Sequence, residues 1–370
     1  MAKKIDYKSS GVHYDLLDPF KVAAQKAAAS TDGNINYLKG FKEVPKSRGE
    51  SAFLIETDSG YIAHVEETLG TKNLIADAMY KITGKSYYDS IAIDTVAAIV
   101  NDLITMGALP MTLAMHLAVG DSHWFEDQQR QNDLVMGWKK GCDLSSALWA
   151  GGETPTLQGI LQKDAVLLSG SAVGIIQNKD SVIRSSDLQD EDRIILLESS
   201  GIHANGASLC RKIASEIPEG YQTKISDGRM FGEAVLDPTV IYVPVLKDCM
   251  LNNIKLHYVS HITGHGWRKI MRAVEPYSYI IQAIPEPPAV FGFLQEQSGL
   301  SDEEMYGTFN MGAGFALYVA PEDTKAVLDI CVKNNIKGID AGYVKTRGEE
   351  KKVSIVPKGI KFGSETLAVR

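Results

Sequence analysis

Residues 66–72 read Glu-Glu-Thr-Leu-Gly-Thr-Lys, and residues 94–102 read Asp-Thr-Val-Ala-Ala-Ile-Val-Asn-Asp. The first stretch closes a strand predicted over 61–66 with two carboxylates. It then turns through Gly70 and sets a hydroxyl and an ammonium, Thr71 and Lys72, just ahead of a helical stretch. Phosphate binding calls for this set: backbone donors on a turn, a cation for the oxygens and a carboxylate to hold Mg²⁺. Taken alone, a capped strand-to-helix turn with surface charges has the same letters. The second stretch falls in a helix predicted over 94–106. Asp94 and Asn101 are seven apart, two turns, and so share a face, with Asp102 to one side. Val96, Ala97, Ile99, Val100, Leu103 and Ile104 make that helix mostly buried. Its polar groups then need partners, which a cation or ligand supplies; a solvent-facing stripe explains the pattern as well.

Outward from these stretches, apolar strands alternate with amphipathic helices in both halves of the chain. Strands are predicted over 52–56, 111–119 and 165–176, with a helix over 125–140. The second half opens with a strand over 193–198 and a helix over 205–214; helices over 289–297 and 321–334 and strands over 315–319 and 352–356 follow. Residues 177–192 are polar and aperiodic, and make the natural linker between two domains, 1–180 and 190–370. A length of 370 residues agrees with two domains, and 44% hydrophobic with 23% charged residues builds cores rather than disorder. The class is α+β.

The net charge of −8 gives no general attraction to nucleic acid or anionic lipid. No apolar run approaches the roughly 20 residues that span a bilayer, and the charged N-terminus is not followed by a secretory apolar stretch. Cys142, Cys210, Cys249 and Cys331 are scattered, without a Cys-x-x-Cys pair, which argues against structural zinc and a disulfide framework. A cytoplasmic protein that contacts neither nucleic acid nor membrane is expected.

Other clusters carry chemistry more weakly. Gly151-Gly152-Glu153-Thr154 allows a backbone to approach a ligand beside a carboxylate. Residues 199–206, Ser-Ser-Gly-Ile-His-Ala-Asn-Gly, are dense in phosphate donors and hold a histidine fit for donation or proton transfer, although a loop with Asn205 as helix cap also fits. His257, His261 and His265 are spaced by four, as metal ligands can be; Tyr258, Val259 and Ile262 fit a strand running into a glycine turn. Residues 305–314 form a glycine-rich turn before a strand. Gly84-Lys85-Ser86 is a P-loop look-alike with Met79 where the first glycine belongs. Gly170-Ser171-Ala172-Val173-Gly174 has its serine misplaced for a nucleophile elbow.

In order and spacing, these segments resemble the aminoimidazole ribonucleotide (AIR) synthetase family, phosphoribosylformylglycinamidine cyclo-ligases. The resemblance runs from Tyr7-Lys8 and Gly11-Val12 through Gly70-Thr71-Lys72, Ile93-Asp94, Val100-Asn101-Asp102-Leu103 and Gly151-Gly152-Glu153-Thr154. It continues through Ser199-Ser200-Gly201, His203, Asn205-Gly206, Pro238-Thr239, Ile241-Tyr242, His261, Thr263-Gly264 and Thr308-Phe309-Asn310 to Gly312-Ala313-Gly314. It implies two α+β domains, with N-terminal domains pairing into a β-barrel across a homodimer and a C-terminal α/β sandwich domain. The N-terminal domain then serves ATP, metal and dimerisation, and the C-terminal domain serves the substrate. The implied reaction is ATP-dependent closure of the imidazole ring of formylglycinamidine ribonucleotide, through phosphorylation of the formyl oxygen and attack by the nearby amine.

The resemblance also implies roles. Gly70, Thr71, Lys72, Asn101, Asp102, Gly151 and Gly152 serve ATP and its phosphates, and Glu67, Asp94 and Glu153 hold Mg²⁺. His203, Asn205, Thr263, Gly264, Thr308 and Asn310 hold the substrate, with His203, Lys72 and Asp94 catalytic. The chain departs from the family pattern where Glu67 replaces an aspartate and His265 a glycine, and Ser9 stands for an acidic residue. The dense N-terminal glycine loop is reduced to Gly33, Gly40 and Gly49. That reduction motivates the alternative of a nonenzymatic nucleotide-binding paralogue. The histidine triplet motivates a metal-dependent hydrolase.

Overall fold

A computed structural model describes residues 14–347 and 350–367. Tyr7, Lys8, Ser9, Gly11 and Val12 lie outside the described residues. The first sheet comes from β1 (Lys42–Glu43), β2 (Phe53–Glu56), β3 (Tyr61–Thr68), β4 (Leu109–Val119), β5 (Leu148–Glu153) and β6 (Val166–Ile176). Its order is β1-β2-β3-β6-β4-β5, antiparallel except for β4 beside β5. Within one chain this sheet is open, with β5 as an edge strand exposed along its whole length.

Helices of this half are α1 (Tyr14–Ala29), α2 (Lys72–Thr83), α3 (Tyr88–Leu103) and α4 (Gln128–Ser145). α3 begins six residues before the sequence pattern predicts and gives way to a 3₁₀ turn over Ile104–Met106. Twelve of its sixteen residues are buried, because it lies between the sheet and α4. Gly137 and Gly141 let α4 come close. A Cβ on Gly137 would meet the Asp89 carbonyl oxygen at 2.4 Å, and one on Gly141 would meet Val96 at 2.8 Å. Gly84 ends α2 in the left-handed conformation, so Gly84-Lys85-Ser86 caps a helix instead of opening one onto a phosphate.

The second half holds β7 (Arg193–Glu198), β8 (Leu256–His261), β9 (Ser278–Ile281), β10 (Ala313–Val319), β11 (Gly338–Lys345), β12 (Lys352–Ile355) and β13 (Ile360–Gly363). They pair in the order β13-β12-β9-β11-β7-β10-β8, antiparallel except for β12 beside β9. Helices α5 (Ala207–Glu216), α6 (Phe231–Val235), α7 (Val243–Leu251), α8 (Ala289–Ser298), α9 (Asp302–Tyr306) and α10 (Thr324–Lys333) complete it. Every residue of β10 is buried, which explains its continuous apolar run. Among the described residues, no helix is long and apolar enough to cross a membrane.

Because Gly137 sits against backbone, Gly137→Ala should destabilise the chain by about 1–3 kcal/mol through overpacking of α3 on α4. Gly292 lies on α8 with open space around it, so Gly292→Ala should stabilise by about 0.5–1 kcal/mol. Urea unfolding of both variants checks the pair, and equal effects would contradict the packing.

Candidate functional site

The two halves meet where α2 and α3 receive the segment Asp237-Pro-Thr-Val-Ile-Tyr242. Lys72 Nζ lies 2.7 Å from Asp94 Oδ2, and neither side chain has any exposure. The same ammonium donates to the Asp237 carbonyl at 2.9 Å. Asp94 Oδ1 accepts from the Thr239 amide at 2.8 Å and from its hydroxyl at 2.5 Å. One α-helical face supplies the next contact. Asn101 Nδ2 donates to the Val240 carbonyl, and Asn101 Oδ1 accepts from the Tyr242 amide. Burial pushes the Asp94 carboxyl up, against the pull of Lys72 and Thr239.

Beside this clamp lies a cavity of about 280 Å³, lined among others by Glu67, Gly70, Asp102, His203, Asn205 and Thr263. Inward positions on β3 are Tyr61, Ala63 and Val65, all buried, and the same alternation brings Glu67 to the inner face while Glu66 stays exposed. Burial, then the like charge of Asp102, pushes the Glu67 carboxyl up to about 7. Burial also works to raise Asp102, but its 2.6 Å contact with His261 Nδ1 outweighs that and holds it below the usual range. Lys269 adds a cation to this field; burial, then Arg272, brings its ammonium down to about 8.

His203 sits in the β7–α5 loop in the left-handed conformation, φ 57°. Its Nε2 accepts from the Ser200 amide at 3.3 Å, which places the proton of the neutral ring on Nδ1. Burial drives its pKa well below the ordinary value, and the charges of His261 and Lys72 add to this. Nδ1 is buried and has no hydrogen-bond partner among the described residues. Room for the ring exists because Gly314 lacks a Cβ, which would lie 2.5 Å from His203 Cε1. The loop is braced by Asn310, which accepts from Ser199 Oγ and donates to the Gly201 carbonyl.

The sequence-predicted residues therefore separate. Glu67, Gly70, Asp102, His203, Asn205 and Thr263 line one cavity. Lys72, Asp94 and Asn101 lie sealed in the clamp, and Thr71 pairs with Ser208 across the two halves at 3.2 Å. Gly151, Gly152 and Glu153 sit exposed on β5. That strand is three places from β3 in the sheet, roughly 14 Å at strand spacing. Gly264 and Thr308 are not among the residues that line the cavity. Glu67, Asp94 and Glu153 do not converge, and no group of three metal-ligating side chains occurs among the described residues.

The histidine triplet does not form a metal centre either. His257 Nδ1 pairs with Asp192 at 2.8 Å, His261 pairs with Asp102, and His265 is a turn residue at φ 70°. Sequence reasoning missed Thr239 as the partner of Asp94, His261 as the partner of Asp102, and Lys269. A signal for the first existed: Pro238-Thr239 is one of the segments that carry the family resemblance.

The descriptions "AIR synthase related protein, N-terminal domain" and "AIR synthase related protein, C-terminal domain" match residues 49–176 and 189–354, more than three quarters of the chain. The chain belongs to the AIR synthase related family. Relatives in this family include the phosphoribosylformylglycinamidine cyclo-ligases of Methanocaldococcus jannaschii, 35% identical over 83% of this chain and 84% of the relative, and of Clostridium perfringens, 34% identical over 93% and 98%. That of Methanothermobacter thermautotrophicus is 30% identical over 94% and 96%. Solved structures of the same fold include phosphoribosylformylglycinamidine synthase II of Thermotoga maritima, with TM-score 0.58, 14% identity and coverage of 91% of this chain and 49% of that one. Thiamine monophosphate kinase of Aquifex aeolicus has TM-score 0.52, 14% identity and coverage of 81% and 90%.

Lys72→Met strands the buried Asp94 and should lower stability by about 3–5 kcal/mol. Lys72→Met/Asp94→Asn, which leaves no charge there, should recover much of the loss; additivity of the two single losses in urea unfolding would refute the pairing. For Glu67, the raised folded pKa means that the folded state holds the proton between about 4.5 and 7, where the unfolded chain releases it. Stability from this group is present at low pH and declines as pH rises through that window. With chelator present, Glu67→Gln should flatten the decline, and a parallel pH curve for wild type and variant would contradict the assignment.

Proposed function

We propose that this chain catalyses the ATP-dependent closure of formylglycinamidine ribonucleotide to aminoimidazole ribonucleotide, a step of de novo purine biosynthesis. The observation that carries this reading is a cavity between the two domains that joins paired carboxylates to a neutral histidine and to the hydroxyl and amide of Thr263 and Asn205. Relatives at 30–35% identity over most of the chain bear the cyclo-ligase name, which supports it. The γ-phosphoryl group passes to the formyl oxygen and ADP leaves. The amine then attacks the formyl carbon, the oxygen departs with phosphate, and loss of a proton completes the aromatic ring. Chemistry of this kind rests on positioning and charge neutralisation.

His203 lines this cavity, burial keeps its ring neutral, and its Nδ1–H has no partner among the described residues; a turn of the ring away from Gly314 would let it donate to the formyl oxygen without competing for the proton. Asn205 and Thr263 position the substrate. Glu67 and Asp102 line the same cavity, and burial, then the like charge of Asp102, raises Glu67; hard oxygen donors of this sort suit Mg²⁺, which takes one or two carboxylates plus phosphate oxygens. Bound there, Mg²⁺ would neutralise phosphate charge. Lys72 and Asp94 act from beneath by fixing the cavity floor, with Gly70 and Thr71 supplying the turn above it. Roles for Gly151, Gly152, Glu153, Gly264, Thr308 and Asn310 in holding ATP or substrate remain part of the proposal.

The same reading assigns ATP and metal handling and dimerisation to residues 1–180, and the substrate to 190–370. A homodimer closing the first sheets into a barrel is supported by the exposed β5 edge with Leu148 71% exposed, and by Met111 and Ile175 exposed beside it. The working environment is the cytoplasm, with small nucleotides as partners. With His257 paired to Asp192 and His261 to Asp102, the histidine triplet gives the hydrolase reading no site among the described residues.

Purified protein should release ADP only when formylglycinamidine ribonucleotide is present, and the gene should rescue a purine auxotroph that lacks the cyclo-ligase. Nucleotide binding without such turnover would leave the nonenzymatic paralogue instead. His203→Ala should lower kcat by about 10²-fold or more, as loss of a positioned donor does. His203→Asn, whose amide N–H replaces Nδ1–H, should retain part of the rate.

A further inference from the structure

A second and larger cavity, about 450 Å³, shares no lining residue with the first. Its walls come from residues 44–50, β2, β3, the linker residues 182–186, Tyr258 of β8 and residues 274–275. Apolar side chains such as Leu54, Met106 and Ile183 line it, and the rings of Tyr61 and Tyr258 face it. The volume falls in the range of pockets that hold small organic ligands.

The charges around it are uneven. Arg48 is paired with Glu43 at 2.5 Å, and Glu50 lies 3.7 Å from Arg272. Lys46 and Arg184 are exposed and have no carboxylate partner among the described residues; the Arg184 guanidinium donates only to the Tyr61 hydroxyl, at 3.1 Å. Glu275 adds a buried carboxylate oxygen with no hydrogen-bond partner among the described residues. A buried acceptor left in that state is unfavourable until a donor reaches it. Two exposed cations that form no ion pair among the described residues, tyrosine rings and an unfilled acceptor together select an anion that carries a flat ring with N–H donors.

We propose that this cavity is a second ligand site, for a nucleoside monophosphate distinct from the reaction's own ATP. Lys46 and Arg184 meet the phosphate, Tyr61 and Tyr258 flank the ring, and Glu275 accepts from a ring or exocyclic N–H. The site is wired to the catalytic cavity. The Ile183 amide donates to the Met106 carbonyl in the 3₁₀ turn that follows α3, the helix of Asp94, Asn101 and Asp102. Tyr258 lies three residues from His261, the partner of Asp102, on one strand. The proposal does not depend on which reaction the catalytic cavity performs.

The probe is AMP, titrated calorimetrically into the full chain, with adenosine and inorganic phosphate as separate controls. AMP should bind more tightly than either control. Lys46→Ala/Arg184→Ala should weaken AMP at least tenfold, with Tyr61→Phe, which removes only the hydroxyl that Arg184 meets, leaving AMP affinity within about twofold, and Glu275→Gln should weaken AMP while leaving phosphate binding unchanged. Glu67→Gln, in the catalytic cavity, should leave AMP affinity as it was. No AMP binding, or AMP binding that falls with Glu67→Gln and ignores Lys46 and Arg184, would overturn the site. Steady-state assays separate two sources of the same chemistry. For a separate nucleotide, KM for ATP in the double variant changes only when AMP is added; a KM for ATP raised without AMP would assign the cavity to the reaction's own ATP and overturn the second site.

Discussion

The ion pair between Lys72 and Asp94 is the contact on which the rest of the site depends. Both groups are cut off from water, and a lone charge in that position is costly enough that neither residue is tolerable without the other. The pair also reaches across the chain, because Lys72 binds the Asp237 carbonyl and Asp94 takes both donors of Thr239. Directional bonds to one short segment fix the register of the second half on α2 and α3. The cavity between the halves is a consequence of that register.

Electrostatics divide the labour next to the clamp. Glu67 and Asp102 face one another's field, so one of them carries its proton readily, whereas Asp102 is held ionised by His261. A cation brought in by a phosphate ligand relieves the repulsion. His203 has the opposite character, a ring kept neutral by burial with its donor unanswered. Relatives named as cyclo-ligases share most of this chain's length. Phosphoryl transfer followed by ring closure is chemistry that such a set of charged and neutral groups can serve.

Much of this was legible in the letters. Alternation along 61–67 puts Tyr61, Ala63 and Val65 inside and so puts Glu67 inside as well, and the apolar run after Asp94 requires a buried helix. Segment order along the whole chain identified the family. The grouping of Glu67, Asp94 and Glu153 was not legible. Successive residues of a helix turn by about 100°, so Asp102 lies roughly 80° from Asp94, and the two carboxylates face different neighbours. Glu153 depends on strand order, which local periodicity does not contain: β6 and β4 stand between β3 and β5.

The sequence by itself determined the α+β class, the two halves and the family. Those properties follow from local periodicity and from motif spacing along the chain. Only the tertiary structure decided which of the site residues meet: that Lys72 and Asp94 answer each other, that Asp102 stands with Glu67 and His261, and that His257 is held by Asp192 while His261 is held by Asp102. Pairing across more than a hundred residues is set by the docking of two sheets and their helices, and a buried charge can be read as clamp or as ligand only when its partner is in place.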